Sequence, residues 1–239
     1  MSQLSVKEAI KQRTSLRSFQ NESPPQDEII AVCADSKYLI PVAHDAIGSG
    51  RIGTYGIITG TPAYIAVVGD DEFAAGMEGE RAVIELTRRG FATCWLGVNF
   101  NRELVSRAIN LTEGTTLIAV IAVGYAARRT IIDGSMRLAC GSFARKSLSK
   151  LVVAGTPSAG VIDAIEALRL APSSHNRQPW RIAFNTNGNI DVYADHKYKS
   201  YLLDVGIAVC HFILVAPEYK IVENKSRYPG LKPIVTLCK

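Results

Sequence analysis

Hydrophobic and polar positions follow two different periods along this chain. Residues 6–11 carry helical spacing before a polar run at 12–18, and 26–33 reads as a short helix with Ile29, Ile30 and Val32 apolar. Residues 77–89 form the strongest helical pattern of the first half, with Gly90 as its C-terminal cap, and 102–109 reads as a further helix. Two compact β-branched runs, 63–68 and 117–123, read as buried strands, the second of them central. Residues 158–170 form an amphipathic helix with Val161, Ile165, Leu168 and Leu170 near one face. Residues 181–184 and 190–194 flank 185–189 as a hairpin, 205–216 reads as a buried apolar helix, and 233–237 as a terminal strand. A turn is expected at 22–25, no clear period at 40–61, and an irregular surface crossing at 134–157. Helices and strands mix without strict β-α alternation, which predicts an α+β class over a doubly wound α/β fold.

Length and composition narrow the picture. With 239 residues the chain holds one large domain or two small ones and buries a sizeable core. The formal charge of +5 suits either an anionic partner or simple solubility. The basic residues are scattered, with no tract and no zinc-finger spacing, which argues against nucleic acid. No apolar run reaches the roughly 18–20 residues of a membrane span, and the N-terminus has no apolar signal-like stretch, so no membrane association and a cytoplasmic location are expected. The five cysteines are odd in number and lack C-x-x-C spacing, and the four histidines form no metal-binding pattern, so no metal is expected.

Four segments carry candidate chemistry. Gly48, Gly50 and Gly53 match G-x-G-x-x-G, with Asp70 and Asp71 after the next strand, the mark of a Rossmann NAD site. That motif needs a helix opening at its end, and the Gly-, Pro- and β-branched-rich stretch to Pro62 is a poor helix. A Gly-rich loop fits it better. Arg13, Thr14, Ser15 and Arg17 place guanidinium and hydroxyl groups together, able to clamp a phosphate, although a solvated helix end looks the same. Residues 171–180, A-P-S-S-H-N-R-Q-P-W, form a tightly specified polar loop. Its Ser173, Ser174, Asn176 and Gln178 suit the edge of a flat heterocycle, and a capped turn with a packed tryptophan is the bland alternative. Residues 90–97, G-F-A-T-C-W-L-G, read as a Gly-bounded loop whose backbone N–H groups could meet a cofactor nitrogen.

Together these segments resemble the nitroreductase family. Residues 13–19 are similar to its R-x-S-x-R-x-F opening, 171–180 to its A-P-S-x-x-N-x-Q-P-W run, and 90–97 to its G-[LF]-x-T-x-W-x-G run. Residues 118–125 resemble its strand ending in G-Y, and 203–208 its L-D-x-G-x-A helix start. The order is unusual, because A-P-S-x-x-N falls in the second half and the phosphate run in the first. The chain therefore resembles the duplicated subgroup typified by a Thermotoga protein, one polypeptide mimicking the family homodimer. The halves would be 1–150 and 151–239, forming one globular unit around a central, mostly antiparallel sheet flanked by helices.

The resemblance implies FMN as cofactor. It implies that Arg13, Thr14, Ser15 and Arg17 hold the phosphate, and that Arg145 and Lys146 reach phosphate or ribityl oxygens. Pro172, Ser173, Ser174 and Asn176 would line the isoalloxazine, the Leu96 or Gly97 N–H would meet flavin N5, and Trp95 and Gln178 would also contact the cofactor. The implied activity is ping-pong hydride transfer from NAD(P)H through FMN to a nitroaromatic, quinone or similar small-molecule acceptor, with no side chain required as acid or base. A flavin store or sensor without turnover is the alternative. A monomer with pseudo-dimeric architecture is expected.

Overall fold

In the computed structural model, residues 3–47, 52–53, 57–127 and 144–239 are described. Gly48 and Gly50 of the Gly-rich motif and residues 134–143 of the expected surface crossing lie outside them.

Helix α1, Val6–Gln12, starts at a reciprocal capping box: the Glu8 N–H donates to Ser5 Oγ and the Ser5 N–H donates to Glu8 Oε2. Helix α2 spans Gln26–Cys33. Strand β1, Leu39–Val42, and the one-turn helix α3, His44–Ile47, occupy a stretch whose sequence shows no period. Strand β2 follows at Ala63–Val68. Helix α4, Glu72–Arg88, begins five residues earlier than its apolar pattern suggests, because Asp71 caps it through the Ala74 N–H. It ends at Gly90, whose φ of 90° lies in the left-handed region. Strand β3 is Ala92–Leu96, helix α5 Arg102–Ala108 and strand β4 Leu117–Gly124.

The second half contributes α6 (Leu148–Leu151), β5 (Val152–Ala154) and α7 (Ile162–Leu170). The hairpin of β6, Trp180–Phe184, and β7, Ile190–Ala194, is closed by an Asn185 N–H to Asn189 carbonyl bond. Helix α8, Tyr201–Val215, precedes β8 (Lys220–Glu223) and β9 (Lys232–Cys238).

The protein is α+β. The strands fall into two sheets, ordered β1-β2-β4-β3 and β5-β6-β7-β9-β8, and every pairing is antiparallel except β5 with β6. Both faces of β2 and β4 are covered, which explains their continuous apolar runs. Ile65 and Ile121 point into a large core with Val83, Leu86, Phe212 and Val192, while Ala66 and Val120 face a second core with Phe19 and Phe100.

One sequence expectation needs correction. Residues 92–96 are not loop: they pair with β4 from Ala92 opposite Gly124 to Leu96 opposite Val120. A five-residue strand between glycines carries too little pattern to announce itself, and its state is set by its partner. The Rossmann alternative also fails. Helix α3 precedes the Gly-rich motif, Gly53 makes an antiparallel bridge to Phe100, and the four strands of the first sheet pair antiparallel.

Helices α4 and α8 cross between the sheets with their backbones nearly touching. A Cβ on Gly76 would lie 2.4 Å from the Leu203 carbonyl oxygen, and one on Gly206 2.1 Å from that of Phe73. This approach sets the N-terminal ends of both helices beside the loop that follows α7.

Candidate functional site

Three chain segments far apart in sequence meet at one cavity of about 630 Å³, within the usual size of small-molecule and cofactor sites. Residues 13–17 arrive from the end of α1 and lie along β3: Ser15 bridges Thr93, and the Leu16 N–H donates to the Thr93 carbonyl. The C-terminal end of β3 supplies Trp95, Leu96 and Gly97. The loop after α7 supplies Pro172, Ser173, Ser174 and Asn176. Ser15 and Arg17 complete that side of the wall. Beside it lies a recess of about 70 Å³, lined by Arg13, Thr14, Ser15, Arg145, Ser173 and Asn176 among others.

The loop is held in a costly conformation. His175, Asn176 and Gln178 have φ of 51°, 54° and 49°, which costs non-glycine residues roughly 1–2 kcal/mol each. Many hydrogen bonds offset this. The Asn176 N–H donates to the Ser173 carbonyl, and the Gln178 N–H to Ser173 Oγ at 2.9 Å. Asn176 Nδ2 donates to the Ala144 carbonyl, and its Oδ1 accepts from Arg145 Nη1, both at 2.8 Å. Lys146 Nζ donates to the Arg177 and Gln178 carbonyls, and its N–H to Gln178 Oε1 at 2.7 Å. Burial lowers the Lys146 pKa first, helped by Arg181.

Lys146 and Gln178 therefore brace the loop from behind and line neither cavity. Arg145 does both, since it walls the recess and orients Asn176. The other eleven sequence-selected residues lie on the cavity or the recess.

Beneath the wall lies a buried polar network absent from the sequence reading. Glu80 and His211 are each fully buried. Glu80 Oε2 accepts from the Trp95 indole N–H at 2.7 Å, and Oε1 lies 2.8 Å from His211 Nε2. The far ring nitrogen, Nδ1, is 2.9 Å from the Ala167 carbonyl; that oxygen can only accept, so Nδ1 carries a proton. Arg13, 8% exposed, brings Nε to 3.8 Å from Glu80 Oε1, and this Nε has no hydrogen-bond partner among the described residues. Glycine at position 79 makes room for the indole, because a Cβ there would lie 2.4 Å from Trp95 Cη2. One carboxylate thus ties the recess cation, the cavity's aromatic wall and helix α8 together.

A second acid, Asp204, lies on the cavity wall at 2% exposure. Burial pushes its carboxyl up to about 7, against the opposing pull of the Ser174 N–H and the Ser200 hydroxyl. Glu72, from the start of α4, lines the same cavity and is itself raised by burial. On the outer wall Arg177 stacks over Tyr198 at 4.5 Å, near Lys197 and Lys199. The signal for Glu80 and His211 in the sequence is a polar residue on a buried helical face, and Asp204 is besides the acid of the L-D-x-G-x-A run. Their partners lie on other elements and are not readable.

An α+β fold with a cavity walled by an arginine-serine segment and a strained A-P-S-x-x-N loop defines a protein of the nitroreductase type. The chain belongs to the family described as "Putative TM nitroreductase", whose model matches residues 5–216. A similar solved structure is a "putative nitroreductase" from Thermotoga maritima, 19% identical, with a TM-score of 0.66, covering 99% of this chain and 94% of that one. A nitroreductase family protein from Clostridium novyi is 16% identical with a TM-score of 0.42, covering 52% of this chain and 87% of its own. An FMN-dependent nitroreductase from Clostridium difficile is 13% identical with a TM-score of 0.38, covering 51% and 88%. No curated protein matches the chain. Among the described residues no helix is long and apolar enough to cross a membrane, and no cluster of side chains suits a metal ion.

Proposed function

We propose that this chain is an FMN-dependent oxidoreductase with one flavin site per polypeptide. The observation that carries this reading is the meeting of residues 13–17 and 172–176, from opposite halves of the chain, on one cavity. The halves 1–150 and 151–239 then act as one polypeptide in the role of the family homodimer, and the protein works as a monomer in the cytoplasm.

The residues fit FMN. Arg13 and Arg145 wall the small recess with Thr14 and Ser15, a donor set suited to a phosphate. The larger cavity pairs the Trp95 and Pro172 surfaces with polar groups of Ser173, Ser174 and Asn176, which suits a flat ring with a polar edge. The chemistry that FMN supplies when bound is two-electron transfer in a ping-pong cycle, from NAD(P)H to a nitroaromatic, quinone or similar acceptor. The protein's part is to bind, orient and exclude water. Arg13, Ser15, Arg17 and Arg145 anchor the anionic end. Leu96 and Gly97 offer backbone where the reacting ring edge would lie. Lys146 and Gln178 keep the loop in register, and the outer wall of Arg177, Tyr198, Lys197 and Lys199 faces an incoming anionic donor.

Flavin titration of the purified protein followed by anaerobic NADPH tests this directly. A bound-flavin spectrum that bleaches supports the reductase, binding without bleaching supports a flavin store or sensor, and no binding removes both. Arg13→Ala and Asn176→Ala are each expected to weaken FMN binding by about tenfold or more, the worth of a charge-assisted hydrogen bond. Unchanged affinity in both would remove the composite site.

A further inference from the structure

Asp204 is a buried acid on the cavity wall for which hydride chemistry has no use. Its two oxygens are both engaged. Oδ1 accepts the Ser174 N–H at 2.9 Å, and Oδ2 accepts the Ser200 hydroxyl at 3.3 Å. Ser174 opens the turn in which His175 and Asn176 adopt left-handed φ, so the Asp204 bond grips the strained segment at its start. On the far side the turn is held by Arg145, Lys146 and Gln178. Asp204 is the one ionisable side chain gripping it from helix α8.

Arg177 on the loop favours the ionised carboxylate, and Glu72 on α4 opposes it. Arg17, Arg102, His175, Lys197 and Lys199 share the cavity wall. The close crossing of α4 and α8 at Gly76 and Gly206 fixes Glu72 on this side of the cavity, one helical turn before Gly76.

We propose that Asp204 is a positioning residue: acting through the Ser174 N–H, its carboxylate holds the 172–178 turn in the shape that receives the flavin, and this makes flavin affinity depend on pH. This rests on the FMN reading above. An ionised acceptor binds an N–H about twice as strongly as a neutral one, so protonation of Asp204 loosens the turn. Burial places that titration near neutrality, at about 7. Because Asp204 is already 2% exposed, a bound flavin adds little further desolvation, and the hydrogen bond decides the sign. Flavin therefore binds more tightly above this titration and more weakly below it.

The test is a fluorescence-quenching titration of FMN into the apoprotein at pH 6 and pH 8, for the native chain and Asp204→Asn. The side-chain amide can still accept from Ser174 and does not titrate. The FMN phosphate, with a second pKa near 6, contributes equally to both proteins. The ratio of Kd at pH 6 to Kd at pH 8 is expected to be about fivefold larger in the native chain, which is what a roughly tenfold preference for the charged hydrogen bond yields across a titration at about 7. Equal ratios, or a native ratio that runs the other way, overturn the proposal. A second measurement needs no flavin and compares the native chain with Asp204→Asn, because Ser174 Oγ lies 3.1 Å from His175 Nδ1. The ¹⁵N–¹H resonance of Ser174 in the native apoprotein should shift with pH around a midpoint near 7 and lose that shift in Asp204→Asn, and a resonance unmoved between pH 5.5 and 8.5, or one that moves equally in both proteins, overturns the Asp204 link. Loss of FMN binding at every pH beside a titrating Ser174 amide would instead count against the flavin reading alone.

Discussion

At the scale of single residues, the buried ionisable groups set the sharpest expectations. Folding raises the Asp204 carboxyl from 3.8 to about 7, so the fold favours its neutral form. That contribution to stability is complete below about pH 4 and is lost as pH rises through 7. Asp204→Asn is therefore expected to be more stable than the native chain at pH 8, by up to a few kcal/mol at about 1.4 kcal/mol per unit, and to show no gain at pH 4. Urea unfolding at both pH values measures this, and an equal or lower midpoint at pH 8 would count against it. Ionised Asp204 thus weakens the global fold while it tightens one loop, a common exchange at functional sites. Glu80→Ala should act the other way. It strips Arg13 of its counter-charge and His211 and the Trp95 indole of their acceptor, and removing one partner of a buried ion pair costs roughly 3–5 kcal/mol. Neither role was legible in the sequence. Glu80 and His211 lie 131 positions apart; Glu80 is one acid among several in a charged helix, and His211 is a polar letter in an apolar one. The serines, arginines and asparagine of the two motif segments are singled out by their resemblance to a family pattern, and the fold brings them onto one cavity and its recess.

At the scale of elements, legibility followed pattern length and local signals. Helix α4 announces its end in Gly90 but not its start, since the Asp71 cap reads in sequence as a candidate ribose acid; the Ser5–Glu8 box of α1 emerges only in the structure. Strands β2 and β4 carry continuous apolar runs that only a doubly covered sheet explains. Strands β3, β5 and β8 did not show, because three to five residues hold too little period and their state comes from a partner. The contact of α4 with α8 is also silent in sequence, since a glycine in a helix reads as a weakness until the facing backbone is seen. Gly206→Ala would drive a methyl to 2.1 Å from the Phe73 carbonyl oxygen, and backbone cannot rotate away as a side chain does. The expected cost is about 1–3 kcal/mol or more, seen as a lower thermal midpoint. Gly160→Ala is the control, since a Cβ there meets nothing within 4 Å and should leave the midpoint within the small range of surface changes.

At the scale of the whole molecule, motif order carried more information than any motif alone. The arginine-serine segment stands at one end of the chain and the A-P-S-x-x-N loop past its middle, and the fold sets them on the same cavity. The first sheet is built from residues 39–124 and the second from 152–238, with α4 and α8 packed between them. What the sequence left unread was the division into two sheets, because strand pairing is a property of partners distant along the chain. A site composed across both halves predicts a stoichiometry that neither a two-site duplication nor an empty scaffold would give. The deciding measurement is equilibrium dialysis of the purified, monodisperse protein against FMN, with protein counted by amino-acid analysis. One FMN bound per polypeptide is the expected result; two per chain, or none at saturating flavin, would contradict the composite site.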